Sequence, residues 1–179
     1  MLVTGCAAPY QYHGLYLESP KPAADFTLTG AGGRPVSLSD FQGKVVLLYF
    51  GYAFCPDVCP TTMTEVAKAV QALGKRAEDV QVIMISVDPE RDTPDRLAEY
   101  VAYFDPRFIG LTGTPDEIAD VATLYGIFYE KHEGTAATGY LVDHTATVTV
   151  VDRQGRVRLV WPFGTTGEDM ASDLKQLLR

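Results

Sequence analysis

Two continuous apolar runs constrain the fold of this chain more than any other feature. Residues 45–50 (VVLLYF) and 80–87 (VQVIMISV) are rich in aliphatic and β-branched side chains without polar alternation. Such runs are typical of strands that are buried on both faces of a sheet. Each run is followed by a segment with helical spacing of apolar residues, at 60–73 and near 94–104. The pattern therefore predicts an α/β domain in which helices cover a central sheet.

The remaining elements narrow the architecture. The sequence predicts a short hairpin within 26–38, a helix over about 114–124, an extended segment at 125–131, a second hairpin formed by 145–151 and 157–161, and a helix over 169–178. Strands thus alternate with helices first and end in an antiparallel hairpin followed by a helix. This order predicts a thioredoxin-like fold, with a mixed central sheet, helices on both faces and an N-terminal hairpin.

The first 24 residues lack this periodicity, so we predict a tether at 1–24 ahead of a single domain at 25–179. Residues 2–6 (LVTGC) resemble the end of a bacterial lipoprotein signal, in which the cysteine is lipidated. On this interpretation Cys6 is an anchor that holds the domain on the outer, periplasm-facing side of the cytoplasmic membrane. A stray cysteine is the alternative. A flexible tether would let the domain move on the order of 25 Å.

Composition excludes some classes of function. The formal charge is −8 and the pI is near 4.8, so no basic stripe is available to neutralise phosphates. We therefore expect no nucleic-acid partner. The 179 residues contain no run of eighteen apolar residues that could span a membrane.

Cys55 and Cys59 lie in the stretch GYAFCPDVCP, directly after the first apolar run. Because Pro60 fits the first turn of a helix, Cys59 is expected at a helix N-terminus and Cys55 in the loop before it. Both thiols would then lie near the positive end of the helix dipole, which stabilises thiolates and favours metal binding and disulfide exchange. Two buried structural cysteines are the alternative.

The chain has three histidines that could supply a third ligand. His13 lies in the predicted tether, and His132 lies in a charged stretch that we interpret as solvated. His144 stands just before a predicted strand, and the loop entering the equivalent strand of thioredoxin-like folds faces the active cysteines. His144 is therefore the candidate ligand, and Asp143 could orient its imidazole or cap the turn.

Two thiolates and one imidazole form a soft site of low coordination number. Such a set suits Cu(I), and the imidazole also allows Cu(II) to bind. Structural zinc would require a fourth protein ligand, which the sequence does not offer. We therefore expect copper.

The chain resembles the Sco/SenC family of thioredoxin-like proteins that act in cytochrome c oxidase assembly. The resemblance runs from about Asp25 to Arg179 and is carried by DFTL, VSLSDFQGKVVLLYFGYAFCPDVCPTT, SVDPERDTP and YLVDHTATVTVVD. It implies that Cys55, Cys59 and His144 bind copper. It also implies delivery of copper to the binuclear copper centre of oxidase subunit II, or reduction of that centre's cysteine pair, with another copper chaperone as a second partner.

The sequence is also compatible with three other functions. The same cysteines could serve a thiol-disulfide oxidoreductase, for which His144 is dispensable. A peroxiredoxin-like peroxidase is disfavoured, because Tyr52 occupies the position where such enzymes place Thr or Ser. The domain could also be an interaction module whose cysteines merely stabilise a loop.

The motif VDPERDTP follows the second apolar run, and α/β proteins often place sites at such strand ends. We interpret its charged residues as turn and helix-cap residues, with a functional site as the alternative. They are Asp88, Glu90, Arg91 and Asp92.

Overall fold

The structure, a computed structural model, describes residues 10–135 and 139–179. Within these ranges it contains ten strands and four α-helices, joined by turns and short 3₁₀ helices. In chain order they are β1 (Leu15–Tyr16), β2 (Thr27–Thr29), β3 (Pro35–Ser37), β4 (Val45–Gly51), α1 (Val58–Gln71), β5 (Val80–Ser86), α2 (Pro94–Phe104), β6 (Ile109–Leu111), α3 (Pro115–Leu124), β7 (Tyr129–Glu133), β8 (Tyr140–His144), β9 (Val148–Val151), β10 (Val157–Trp161) and α4 (Gly167–Leu177).

Six strands form the central sheet, in the order β1-β10-β9-β4-β5-β6. Strands β4, β5 and β6 are parallel, whereas β9 pairs antiparallel with β4, β10 with β9, and β1 with β10. The predicted mixed sheet and the N-terminal hairpin, formed by β2 and β3, are confirmed. Strands β4 and β5 are buried along their whole length, as their apolar sequences predicted.

Opposite faces of β4 make different aromatic contacts. The Tyr49 ring points toward the site at the start of α1, where it lies 6.1 Å from the His144 ring in an edge-on contact. The Phe50 ring points the other way and lies 6.0 Å from the ring of Tyr125, which follows α3. Successive side chains of a strand alternate between faces, so the sheet is covered on both sides.

The caps of α2 and α3 follow from local sequence. Thr93 and Thr114 accept hydrogen bonds from the third backbone amide of their helices, and a proline stands at the first helical position of each. These caps end the loops that follow β5 and β6 at the carboxyl edge of the sheet.

The segment predicted as a tether contacts the domain from Tyr10 onward. Strand β1 extends the sheet beside β10, and Gly14 lies so close to Trp161 that a side chain there would meet the indole ring at 2.7 Å. The buried carboxylate of Asp173 accepts hydrogen bonds from the Tyr10 hydroxyl, from the backbone and Nδ1 of His13, and from Trp161 Nε1. These contacts attach residues 10–16 to α4 and β10.

Strands β7 and β8 form a separate two-stranded hairpin outside the central sheet. The sequence predicted extended structure near β7 but not β8, and it placed the start of the next strand at 145, whereas β9 begins at Val148. His144 is therefore the last residue of β8, paired in register with Tyr129. No helix within the described ranges is long and apolar enough to cross a membrane.

Candidate metal centre

The two cysteines lie at the carboxyl end of β4, where the chain turns into α1. Helix α1 begins at Val58, so Cys59 is its second residue and Cys55 lies in the preceding loop, as Pro60 predicted. The Cys55 amide donates a hydrogen bond to the Tyr52 carbonyl at 3.3 Å. The Cys59 amide points at the Cys55 sulfur, 3.4 Å away. An N-terminal helical amide thus stabilises negative charge on Cys55.

Gly51 makes room for the second sulfur. Cys59 is fully buried, and a Cβ on Gly51 would meet its Sγ at 2.9 Å and the Tyr49 ring at 2.8 Å. Gly51 was not among the predicted site residues. A glycine at the last position of an otherwise β-branched and aromatic strand is the signal that could have revealed it.

His144 completes the cluster from the end of β8. Its Nε2 lies 3.3 Å from the Cys59 sulfur, and its Nδ1 lies 3.3 Å from the Thr145 carbonyl oxygen. Because a carbonyl can only accept, Nδ1 carries the proton in this arrangement and Nε2 presents its lone pair to the cysteines. The rings of Tyr49 and Tyr52 contact the imidazole edge-on at 6.1 Å and 6.0 Å.

The structure thus brings Cys55, Cys59 and His144 together. One donor atom from each lies within 4.8 Å of the others, and Cys55 and His144 are half-buried. Both cysteines are free thiols. Two sulfurs and one imidazole nitrogen at this spacing can converge on a single soft metal ion.

The thiols of Cys55 and Cys59 differ in acidity. A hydrogen bond from Cys59 lowers the pKa of the Cys55 thiol well below its ordinary value despite partial burial. Burial raises the pKa of the Cys59 thiol, and the neighbouring charge on Cys55 raises it further. Cys55 is therefore the thiolate of the metal-free site, and Cys59 keeps its proton.

Asp143 does not contact the imidazole. Its carboxylate is exposed and pairs with His132, whose Nε2 lies 3.1 Å away. Adjacent residues of a strand point to opposite sides, so a side chain next to His144 in β8 faces away from the cysteines. The Thr145 carbonyl takes the orienting position instead.

Two other sequence candidates lie away from the cluster. His13 contacts Asp173 and Asp169 beside α4, and His132 lies on the exposed side of the hairpin. Cys6 lies outside the described residues.

Tyr52 has a role that its sequence position did not indicate. Its hydroxyl accepts a hydrogen bond from the backbone amide of Val142 at 3.2 Å, in a buried position. This bond joins the cysteine loop to β8 two residues before His144. Only a contact between distant segments could have revealed it.

A groove of about 450 Å³ opens onto the cluster between the cysteine loop and the hairpin. Its walls include Cys55, Pro56 and Asp57 on one side and Leu141 and His144 on the other. The half-buried thiolate is therefore reachable from outside, whereas Cys59 is reached only past Cys55 and His144.

Comparison with known proteins identifies the relatives of this chain. Residues 16–179 match the family model described as SCO1/SenC. The solution structure of apo Sco1 from Thermus thermophilus is 44% identical and superposes with a TM-score of 0.84, covering 96% of this chain and 99% of its own. The copper-bound structure of ScoI from Bradyrhizobium japonicum is 42% identical, with a TM-score of 0.79 and coverage of 88% and 99%.

A more distant structure identifies the fold. The thioredoxin domain of a thiol-disulfide oxidoreductase from Bacteroides vulgatus superposes with a TM-score of 0.61 at 19% identity, over 89% of this chain and 96% of its own. Together with the mixed sheet, this likeness confirms the predicted thioredoxin-like fold. Since the family model spans nearly the whole domain, the chain belongs to the SCO1/SenC family.

Proposed function

We propose that this protein is a copper metallochaperone. It holds one copper ion through Cys55, Cys59 and His144 and delivers it to the binuclear copper centre of cytochrome c oxidase subunit II, as the family resemblance implies. Another copper chaperone supplies the metal. The observation that carries the proposal is the convergence of two sulfurs and one imidazole nitrogen within 4.8 Å.

The donor set favours copper over zinc. Thiolates select Cu(I), which accepts two or three ligands, and an imidazole suits Cu(II) as well. A structural zinc site uses four protein ligands, and the cluster in the described chain offers three. The ScoI relative binds copper, which supports the same choice here.

The protonation state of the site explains how it can load. The Cys55 thiolate is half-buried beside the groove and supplies the first donor. Cys59 gives up its proton when the metal binds, so loading releases a proton and is favoured at higher pH. His144 contributes the lone pair of Nε2, which already faces the Cys59 sulfur.

The same geometry suits delivery by ligand exchange. A partner cysteine entering the groove meets Cys55 and His144 before the buried Cys59. The half-buried donors, Cys55 and His144, can therefore be replaced first while Cys59 still holds the ion. Copper passes between the two proteins without being released to water.

Titration of the reduced domain with Cu(I) in the presence of a competing chelator tests the proposal. A Cys6→Ser background removes the third thiol and leaves the cluster intact. We expect about one tightly held Cu(I) per chain. Unchanged binding after His144→Ala combined with Cys55→Ser would rule the proposal out.

A second candidate function is reduction of a partner's disulfide. The lowered pKa of Cys55 favours it, because the thiolate is the attacking form. The Cys55 thiolate would attack the partner's disulfide, forming a mixed disulfide and releasing one partner thiolate. Cys59 would then lose its proton and attack the Cys55 sulfur, which releases the second partner thiolate. The partner gains two electrons, and Cys55 and Cys59 become a disulfide.

His144 separates the two functions. Cu(II) binding depends on the imidazole, whereas metal-free disulfide reduction does not. The test compares the rates at which wild type and His144→Ala reduce the oxidised copper domain of subunit II in the presence of a metal chelator. Equal rates, together with weakened Cu(II) binding in the variant, would assign the thiols both roles.

We also propose that Cys6 is lipidated and that residues 1–24 attach domain 25–179 to the outer face of the cytoplasmic membrane. Tyr10 already contacts the domain. The four residue steps from Cys6 to Tyr10 span at most about 14 Å when fully extended, so the domain would lie close to the bilayer. Mass spectrometry of the membrane-extracted protein would find diacylglycerol on Cys6, and Cys6→Ser would release the protein from membranes.

A further inference from the structure

The third member of the metal centre is carried by a part of the fold that is not in the central sheet. Cys55 and Cys59 are fixed by β4 and α1, but His144 ends the separate β7–β8 hairpin. The distance between the imidazole and the thiols therefore depends on what holds this hairpin against the domain.

Arg91 contacts the hairpin at the start of β8. Its guanidinium donates a hydrogen bond from Nη1 to the Tyr140 carbonyl at 3.0 Å and lies 3.6 Å from the centre of the Tyr140 ring. Its Nε is paired with Asp88, which is fully buried. The Tyr140 hydroxyl donates to the other oxygen of the same Asp88 carboxylate at 2.5 Å. Arg91, Asp88 and Tyr140 thus close a ring of contacts at the start of β8.

The same turn also holds the cysteine loop. The fully buried carboxylate of Asp92 accepts hydrogen bonds from the Ala53 backbone amide at 3.0 Å and from the Ser86 hydroxyl at 2.6 Å. The Arg91 guanidinium lies 4.8 Å from the Phe54 ring and 5.7 Å from the Tyr52 ring. The turn at residues 86–92 is thus attached to both halves of the metal centre.

We propose that Arg91 is a positioning residue of the metal centre, which sets His144 against the two cysteines. It does so by holding β8 through Tyr140 while its own turn holds the cysteine loop through Asp92. This inference rests on the proposed copper function. It gives the VDPERDTP motif a task beyond the turn and cap roles that its sequence indicated.

The neighbouring ion pair cannot substitute for Arg91. Lys131 in β7 pairs with Glu90 at 2.6 Å, but the two side chains are 40% and 59% exposed. Such surface pairs contribute little, because water and salt screen them. Arg91 is only 18% exposed and combines a buried ion pair, a backbone hydrogen bond and a ring contact. Its fork-shaped guanidinium makes these contacts at once, which a lysine cannot do.

This role predicts an unequal effect on the two oxidation states of copper. Loosening β8 moves the imidazole but leaves both thiolates at the end of β4. Cu(I) needs few ligands and is still held by sulfur, whereas Cu(II) binding depends on the nitrogen donor. A change that merely destabilised the domain would instead weaken both to the same extent.

The test compares Arg91→Met with Arg96→Met, both in the Cys6→Ser background. Arg96 lies over the same Phe54 ring at the same 4.8 Å but is carried by α2, so it controls for loss of an arginine beside the site. We expect Arg91→Met to lower Cu(II) affinity by about 10- to 100-fold, the usual cost of losing a residue that orients a ligand. Cu(I) affinity should fall much less, and Arg96→Met should change neither.

A double-mutant cycle shows whether Arg91 acts through His144. In a His144→Ala background, Arg91→Met should cause no further loss of Cu(II) affinity. Equal losses in the two backgrounds, or equal losses of Cu(I) and Cu(II), would overturn the inference while leaving the copper function intact. A wild type without copper binding would instead refute the proposed function.

A metal-free readout completes the test. In the apo protein, Arg91→Met should speed hydrogen exchange of the Val142 amide, which is bonded to Tyr52 across the same contact. Exchange in β4 should be unchanged if the variant folds normally. Unaltered exchange at Val142 would show that the hairpin is held without Arg91 and would also overturn the inference.

Discussion

The clusters around Asp173 and around Cys59 each surround a fully buried side chain, and they differ in how well that side chain is satisfied. Asp173 accepts hydrogen bonds from Trp161 Nε1 and the Tyr10 hydroxyl, both at 2.8 Å, and from His13 Nδ1 at 2.9 Å. Cys59 has the Cys55 sulfur and His144 Nε2 beside it, and a groove opens next to them.

The difference separates a structural cluster from a functional one. The Asp173 carboxylate accepts hydrogen bonds from N–H and O–H groups within the protein, so it stabilises the fold and requires no further partner. The two sulfurs and the imidazole Nε2 are electron-pair donors, and the proton between them is held by Cys59, where a metal ion can replace it. The first cluster is complete without a ligand, and the second is arranged for one.

The largest expected effect concerns oxidation of the functional cluster. A Cys55–Cys59 disulfide removes two of the three donors and leaves one imidazole, which cannot hold copper against chelators. The oxidised domain should stay folded and bind copper far more weakly than the reduced domain. Circular dichroism and copper titration of both forms measure this, and equal binding would contradict the ligand assignment.

Two substitutions, one in each cluster, should separate effects on stability from effects on copper binding. Asp173→Ala leaves the donors of Trp161 and Tyr10 without their buried partner, and it should lower the free energy of unfolding by about 3 kcal/mol. Copper affinity should be unchanged. Cys55→Ser at the half-buried site should change the free energy of unfolding by about 0.5 kcal/mol or less and should greatly weaken Cu(I) binding. Denaturant unfolding and copper titration of both variants are the measurements. Loss of copper binding in Asp173→Ala would contradict the separation of a structural cluster from a functional one.

Gly51→Ala should affect both properties. The added methyl group would meet the Cys59 sulfur at 2.9 Å and the Tyr49 ring at 2.8 Å, so the sulfur must shift. Such overpacking costs about 1–3 kcal/mol of unfolding free energy. We expect weaker copper binding as well. Gly126→Ala is a control for loss of stability alone, because its φ of 66° strains any side chain although the space around it is open, and copper affinity should be unchanged in it. Wild-type copper affinity in Gly51→Ala would show that the close approach is unimportant.

The smallest effect concerns pH at the structural cluster. A hydrogen bond to Asp173 raises the pKa of His13, and Asp169 adds to the shift. A raised folded pKa means that the stabilisation is full below the unfolded pKa of about 6.5 and is lost as the pH rises through the higher folded value. Because His13 is 40% exposed, we expect an effect below about 1 kcal/mol.

Hydrogen exchange in residues 10–16 measures this pH effect directly. Protection of the segment should fall as the pH is raised through the folded pKa of His13, and His13→Gln should abolish the dependence. Copper affinity of the Cys55–His144 cluster should be the same in wild type and His13→Gln. A pH dependence that survives the substitution would assign it to another group.

Much of the fold and of the site could be predicted because the signals are local. Uninterrupted apolar runs identified β4 and β5, the helical spacing of apolar residues located α2, and Pro60 placed Cys59 at the start of α1. His144 was found because fold geometry brings the strand after β8 next to the cysteine loop.

The rest depends on contacts between distant segments. Strand β8 was missed because it pairs with the polar strand β7 rather than with the sheet, and β1 because two residues carry no periodicity. The link from Arg91 to Tyr140 spans 49 positions and leaves no local pattern. The orientation of Asp143 follows from the alternation of side chains in β8, so it was missed together with that strand.

The central claim is that copper is held by two sulfurs and one imidazole, and X-ray absorption at the copper edge tests it most directly. The reduced Cys6→Ser domain loaded with one Cu(I) should show two sulfur neighbours and one nitrogen neighbour from an imidazole. His144→Ala should lose the nitrogen and keep both sulfurs. A copper ion with only nitrogen and oxygen neighbours, or with a single sulfur, would contradict the account.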